Sequence, residues 1–257
     1  MRKIINIILV AIIIGCLSII GYKYYNYSKD NKLNSEIQDL QPVINEDGLG
    51  NTDSGDAGNN SSEENDGQDS SYVSNSANED ELKSINSDYK MWIQIENTNI
   101  NYPVVQGSDN DYYLKHNFRK ESNISGTVFV ESANDIDNDK NIILYGHNMR
   151  NGTMFNNITS YKEESFFDAD NRIKIIMNNT LYEYEVFSVY VKNVSDINLA
   201  MGFASTEEFI NYAYNEAEQS LYKKDINFSE DDNLMTLVTC SYEFTDARTI
   251  VVARRCD

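Results

Sequence analysis

The chain has 257 residues, 40% of them hydrophobic, which is enough for one or two packed domains and too little for a multi-pass membrane protein. Acids outnumber bases 41 to 21, and the net charge of −20 excludes a surface built to read nucleic-acid phosphates. Three scattered cysteines (Cys16, Cys240, Cys256) and two histidines exclude a disulfide framework, a zinc finger and a three-histidine metal site.

Residues 1–3 form a basic tip, and residues 4–22 are almost uninterrupted apolar sequence, broken by Asn6 and Ser18. That length matches the roughly 20 residues a membrane-spanning helix needs. A cleaved signal peptide would have a shorter apolar core and a small-residue cleavage site, which is not found, so the sequence predicts an uncleaved, single-pass signal anchor. Cys16 follows a faint lipoprotein-like box, but the apolar run continues through Leu17, Ile19 and Ile20, and a small buried side chain is the better reading. Arg2 and Lys3 place the amino terminus inside and the rest of the chain outside the cell membrane, with Lys23, Lys29 and Lys32 blunting the contrast.

Residues 23–82 read as a tether. From Leu33 to Leu82 there are 13 acids and no base among many Gly, Ser and Asn residues, too little apolar surface to offset backbone entropy. A disordered coil of that length would span on the order of 40 Å and hold a domain away from the membrane.

Residues 83–257 contain eight segments rich in β-branched and aromatic residues between Asn, Asp and Gly turns: 92–96, 99–105, 126–131, 141–147, 172–177, 181–192, 233–240 and 248–255. The fold class is mainly β, in the α+β sense, with a barrel or sandwich expected. A long helix separates the sixth and seventh strands, where Ser205 and Glu208 form a capping box and Ile210, Tyr214, Ala217 and Leu221 share a face. Shorter helices are expected at 81–90, 108–115 and 153–158.

Few groups can perform covalent chemistry. Cys240 closes the apolar run from Leu234, and Arg248 opens the next. If the two runs form a hairpin around Phe244, Cys240 and Arg248 are cross-strand neighbours, about 4.5 to 5.5 Å apart at Cβ. A guanidinium there would stabilise a thiolate or the oxyanion of a tetrahedral intermediate. The same hairpin sets Cys256 opposite residue 232, roughly 26 Å from Cys240, too far for a disulfide. His147 ends the strand-like run Asn141-Ile-Ile-Leu-Tyr-Gly-His147, where a side chain can face a cleft, whereas His116 reads as a surface residue.

The T-L-x-T-C run at Thr236 to Cys240, the arginine eight residues later and the L-Y-G-H-N run at Leu144 to Asn148 closely resemble sortases, the cysteine transpeptidases of Gram-positive surfaces. Trp92-Ile, Asn101-Tyr-Pro-Val-Val-Gln106, Asp109-Asn-Asp-Tyr-Tyr-Leu114, Met154-Phe155 and the helix between strands six and seven are similar to class B members. The resemblance covers residues 83–257 and implies a closed eight-stranded sortase barrel with N-terminal helices, working without metal or organic cofactor. It implies Cys240 as nucleophile, His147 as general acid/base and Arg248 as oxyanion or positioning residue. Asn110 and Leu114 align with substrate-groove positions, and Val238, Thr239 and Ser241 flank the nucleophile, where they would line the groove or offer a backbone N–H. The implied partners are surface proteins bearing a C-terminal sorting signal with a threonine motif, and an acceptor amine from a peptidoglycan precursor or pilin. Val238 stands where class B members often carry Ser, and Met91 where Gly commonly precedes the Trp.

Two other classes compete. Papain-like peptidases place Cys before His, and L,D-transpeptidases place His two residues before Cys; neither order is met here. In a non-enzymatic, membrane-tethered β-barrel scaffold, Cys240 would be merely buried. The acid clusters at Asp135, Asp137, Asp139 and at Glu230, Asp231, Asp232 lack a calcium-loop pattern and read as solvated loops.

Overall fold

The computed structural model describes residues 2–42, 75–169 and 171–256. Eight strands close into a barrel: β1 (Tyr89–Ile95), β2 (Asn101–Val105), β3 (Val128–Val130), β4 (Asn141–Tyr145), β5 (Ile173–Met177), β6 (Thr180–Asn193), β7 (Leu234–Cys240) and β8 (Ala247–Cys256). Around the barrel they run β1-β2-β3-β4-β7-β8-β6-β5. The β2/β3 and β4/β7 pairs are parallel and the others antiparallel. The 14-residue β6 closes the barrel because it is long enough to pair with both β5 and β8, with a bulge between Val186 and Ser188 that bends it.

Both faces of the sheet are covered, so the strands lack simple alternation. All of β7 is buried up to Thr239. Its interior face gives Met235 and Leu237 to a core shared with Met91, Phe155, Val189 and Val251. Its outer face gives Leu234 and Val238 to a layer capped by Phe209 and Ala213. A third cluster, around Trp92, Val105 and Phe129, covers the opposite outer face.

The helices are α1 (Arg2–Gln38), α2 (Asn75–Ile85), α3 (Glu164–Phe167) and α4 (Thr206–Gln219), with short 3-10 helices at Tyr112–Leu114 and Phe155–Lys162. In α4 the Ser205 hydroxyl accepts from the Glu208 N–H at 3.2 Å, as the capping box predicts, while the Glu208 carboxylate reaches one residue past the cap and accepts from the Ala204 N–H at 2.8 Å. The buried face differs from expectation. It is Phe209, Ala213 and Glu216, while Tyr214 is 40% exposed and Leu221 lies beyond the helix end and is exposed. Of the residues expected on that face, Ile210 and Ala217 do pack, partly buried, against the same cluster. The stretch expected to be helical at 81–90 is also divided, because Asn86 makes a turn: its Oδ1 accepts from the Asp88 N–H, and its Nδ2 donates to the Phe118 carbonyl. Strand β1 then starts at Tyr89.

The largest difference lies at the amino terminus. The apolar stretch is one helix whose side chains Ile4 to Ile20 are half or more exposed, and it is long and apolar enough to cross a membrane. It does not stop at residue 22 but runs to Gln38. Its last turns dock on the barrel, where Leu33 and Ile37 are buried beside Trp92 and Phe118. Asp30 accepts from Asn123 Nδ2 at 2.5 Å and from the Ser125 hydroxyl at 3.2 Å, Lys29 pairs with Glu121 at 3.0 Å, and Gln38 Nε2 donates to the Asn101 carbonyl. The first part of the expected tether is thus structured, as is α2 at its far end. The rest of it, residues 43–74, lies outside the described residues.

Candidate active site

The parallel pairing of β4 with β7 sets the geometry. Tyr145 is in register with Val238, and the same offset carried two residues on brings His147 level with Cys240. On the other side of β7, Cys240 pairs with Arg248 in the register anticipated for the hairpin, and Arg248 pairs in turn with Lys192 of β6. Neighbouring residues in a ladder point to the same face. Here it is the outer face, continuous with Val238 and Ile250. Cys240, Arg248 and His147 all line one cleft of about 400 Å³, with Phe129, Tyr145 and Ile197 among its apolar walls.

Three hydrogen bonds stitch the histidine segment to the nucleophile strand. The Gly146 N–H donates to the Val238 carbonyl at 3.3 Å, the Thr239 hydroxyl to the Gly146 carbonyl at 2.7 Å, and Asn148 Nδ2 to the Cys240 carbonyl at 2.8 Å. Asn148 is itself oriented by Asn156, whose Nδ2 donates to its Oδ1 at 2.7 Å. Gly146 permits close packing: a Cβ there would stand 2.7 Å from the Phe155 ring.

His147 Nε2 lies 2.8 Å from the Leu114 carbonyl oxygen. A carbonyl can only accept, so Nε2 carries the hydrogen, and Nδ1 is left to take up or give a proton. Arg248 Nη1 donates to its neighbour's carbonyl at Ala247, which fixes the guanidinium and leaves further N–H groups for the cleft. Although the chain is acidic, the register puts one cation, Arg248, across the ladder from Cys240.

Asn110, Leu114, Val238 and Thr239 border the same cleft. Asn110 is held at both ends, by the Glu131 carboxylate and the Ser132 N–H, and one of its amide hydrogens remains for a ligand. Glu131 also accepts from the Tyr145 hydroxyl at 3.1 Å, fixing a second wall residue. Thr239 uses its hydroxyl to bind Gly146 and presents little else, being 2% exposed. Ser241 differs from expectation. It does not border the cleft, its N–H is committed to the Ala247 carbonyl at 2.9 Å, and its hydroxyl is shared among Glu243, Lys162 and Thr249. In that turn burial pushes the Glu243 carboxyl up, but the Lys162 ammonium and Ser241 hydroxyl outweigh it and hold the group at about 2.

Sequence reasoning had no signal for Phe129, Tyr145, Val194 or Ile197 as cleft walls, since each reads as an ordinary strand or loop apolar residue. Asn148 was visible only as the last letter of L-Y-G-H-N. His116 lies outside the cleft, its ring stacked on Tyr112 at 4.0 Å. Cys256 is a free thiol on β8, facing Glu183 across the sheet and touching Arg172. Among the described residues no group of His, Cys, Asp or Glu is placed to hold a metal ion. The Asp135 and Asp139 carboxylates accept hydrogen bonds from their own loop.

A closed barrel with a cysteine, a histidine and an arginine in one row is the arrangement of a cysteine transpeptidase, and the family model described as Sortase domain matches residues 93–256. The chain belongs to the sortase family, and its relatives place it in class B. Sortase B of Listeria monocytogenes is 35% identical over 164 residues, 63% of this chain and 67% of that protein. The solved structure of Clostridium perfringens sortase B is 45% identical with a TM-score of 0.68, covering 70% of this chain and 100% of that one. A Staphylococcus aureus sortase B–substrate complex is 31% identical with a TM-score of 0.65, covering 70% and 85%.

Proposed function

We propose that this chain is a membrane-anchored class B sortase that cleaves a threonine-containing sorting motif and transfers the acyl half to an amine. Residues 4–22 are the single-pass anchor and residues 83–257 the extracellular catalytic domain. The exposed apolar surface of α1 supports the anchor, since so much uncovered hydrocarbon is stable only in a bilayer or against a partner.

The observation that carries the reading is the convergence of His147, Cys240 and Arg248 on one cleft, with Cys240 and Arg248 paired across β7 and β8. His147 Nδ1 takes the Cys240 proton, and the thiolate attacks the threonine carbonyl. The oxyanion develops beside the Arg248 guanidinium, which replaces the backbone N–H of Ser241 that the hairpin already uses. As the C–N bond breaks, His147 returns its proton to the departing amine, leaving a thioester on Cys240. An amine of cell-wall peptide or a partner protein then attacks the thioester, gives its proton to His147 and releases the thiol. Asn110, Leu114 and Val238 bind the motif, Asn110 through its remaining amide hydrogen, while Thr239 holds the Gly146 carbonyl behind it. That a Staphylococcus aureus sortase B has been solved as a substrate complex supports a substrate-binding role for this fold.

The test is incubation of the protein with threonine-containing pentapeptides and a set of amines, followed by mass analysis. Ligated product is expected. Cleavage to free acid alone, whatever amine is supplied, would instead indicate a peptidase, and no reaction at all would indicate a scaffold.

A further inference from the structure

Glu131 stands just past β3 and is not itself a wall of the catalytic cleft, yet it holds two residues that are. Its backbone is pinned, the N–H donating to the Ile143 carbonyl at 2.8 Å and the carbonyl accepting from Gln106 Nε2 at 3.1 Å. One carboxylate oxygen accepts from Asn110 Nδ2, the other from the Tyr145 hydroxyl at 3.1 Å. The Ser132 hydroxyl and the Ala133 N–H approach the first oxygen as well, so the carboxylate accepts from neutral donors.

A carboxylate can only accept, and this fixes the direction of both bonds. The Ser132 N–H donates to Asn110 Oδ1 at 2.8 Å, so the amide cannot turn over, and one Nδ2 hydrogen goes to Glu131 while the other is left for the cleft. Tyr145 spends its only hydrogen on Glu131. Burial, and then the charge of that carboxylate, push the hydroxyl's pKa above the ordinary tyrosine range. It therefore keeps its hydrogen and has only lone pairs to offer. The wall presents an N–H and an oxygen acceptor side by side, each bound to one oxygen of the same carboxylate.

That is the pair of groups a strand residue offers its neighbour. In a hydrogen-bonded antiparallel pair each residue gives one N–H and accepts one, because the N–H and C=O of an extended residue point to the same side. We propose that Glu131 is a positioning residue for the donor peptide: through Asn110 and Tyr145 it makes the cleft wall a substitute strand that binds the C=O and N–H of one extended residue of the motif. The proposal rests on the transpeptidase reading.

The full chain is given a threonine-motif donor and analogues in which each peptide bond up to the threonine is replaced in turn by an ester, which removes one N–H. The second-order rate constant for thioester formation is followed by mass spectrometry. In the wild type one of the esters should cost at least about fivefold, the loss of one hydrogen bond. In Glu131→Gln the side-chain oxygen still has to accept from Asn110, so its amide faces Tyr145 and turns the hydroxyl hydrogen toward the cleft; in Tyr145→Phe the acceptor is gone. Both variants should need a higher concentration of the all-amide donor for half-saturation, and in both the same ester should cost less than about twofold. A merely structural change would slow amide and ester donors alike and leave their ratio as in the wild type. If Glu131→Gln fails to fold, Tyr145→Phe decides. Tolerance of every ester in the wild type, or an undiminished ester penalty in the deciding variant, would overturn the proposal while leaving the transpeptidase intact. Absence of thioester with every threonine-containing pentapeptide would overturn both.

Discussion

Asn148→Ala tests whether the stitching between the histidine segment and the nucleophile strand serves the chemistry. The substitution deletes the 2.8 Å bond to the Cys240 carbonyl and strips Asn156 Nδ2 of its acceptor. Each lost hydrogen bond costs about 1 kcal/mol net, so the stability loss should be about 2 kcal/mol. A domain of ordinary stability would remain on the order of 99% folded after such a loss, so unfolding cannot account for a large fall in rate. A shift of about 1 Å between base and nucleophile, by contrast, lowers rates by up to roughly 100-fold. The expectation is a 10- to 100-fold fall in the rate constant for thioester formation with little change in donor half-saturation. Asn148→Asp, whose carboxylate repels the carbonyl instead of donating to it, should be at least as slow. Acylation is read by stopped-flow release of a fluorescent leaving group, and stability by urea denaturation. A variant that loses the expected stability yet acylates within twofold of wild type would refute the positional argument.

Arg248→Ala should lower the acylation rate by roughly 100- to 1000-fold, the cost of one oxyanion donor, with the circular dichroism spectrum unchanged; a near-normal rate would remove that role. Gly146→Ala should cost about 1 to 3 kcal/mol and slow acylation, since its Cβ would press on Phe155 at 2.7 Å and push the neighbouring His147 segment; a melting temperature equal to wild type would contradict it. Glu216 is buried under α4, its carboxylate held by the Tyr190 hydroxyl at 2.6 Å, and burial pushes its carboxyl above the ordinary 4.5. An acid whose folded pKa is raised contributes stability below its unfolded pKa and loses it as pH rises through the folded one. Melting temperatures of Glu216→Gln relative to wild type should therefore climb between pH 4 and pH 8; a flat or falling difference would show that the carboxylate is stabilised in place.

The barrel was legible because each strand carries its own β-branched run and its own turn residues. The Cys240–Arg248 pairing was legible too, since a hairpin register follows from loop length alone. The alignment of His147 with Cys240 was not, because β4 and β7 are parallel neighbours far apart in the chain and no local pattern encodes their offset. Pattern reading misplaced the face of α4 for a different reason: one of its buried residues is Glu216, which no apolar periodicity would choose, and burial is tolerated only because Tyr190 and Gln219 reach it. At the amino terminus, counting acids hid Leu33 and Ile37, two apolar side chains one helical turn apart that are sufficient to dock α1. Ser241 looked available for the site because it adjoins the nucleophile, yet the hairpin needs its N–H and the turn needs its hydroxyl.

Intact-mass spectrometry of the full chain mixed with a threonine-motif peptide addresses the central claim most directly. The account predicts an adduct equal to the acyl half, located on Cys240 by peptide mapping, discharged within minutes by hydroxylamine and absent from Cys240→Ala and His147→Ala. An adduct on Cys16 or Cys256, or one that persists in Cys240→Ala, would contradict it.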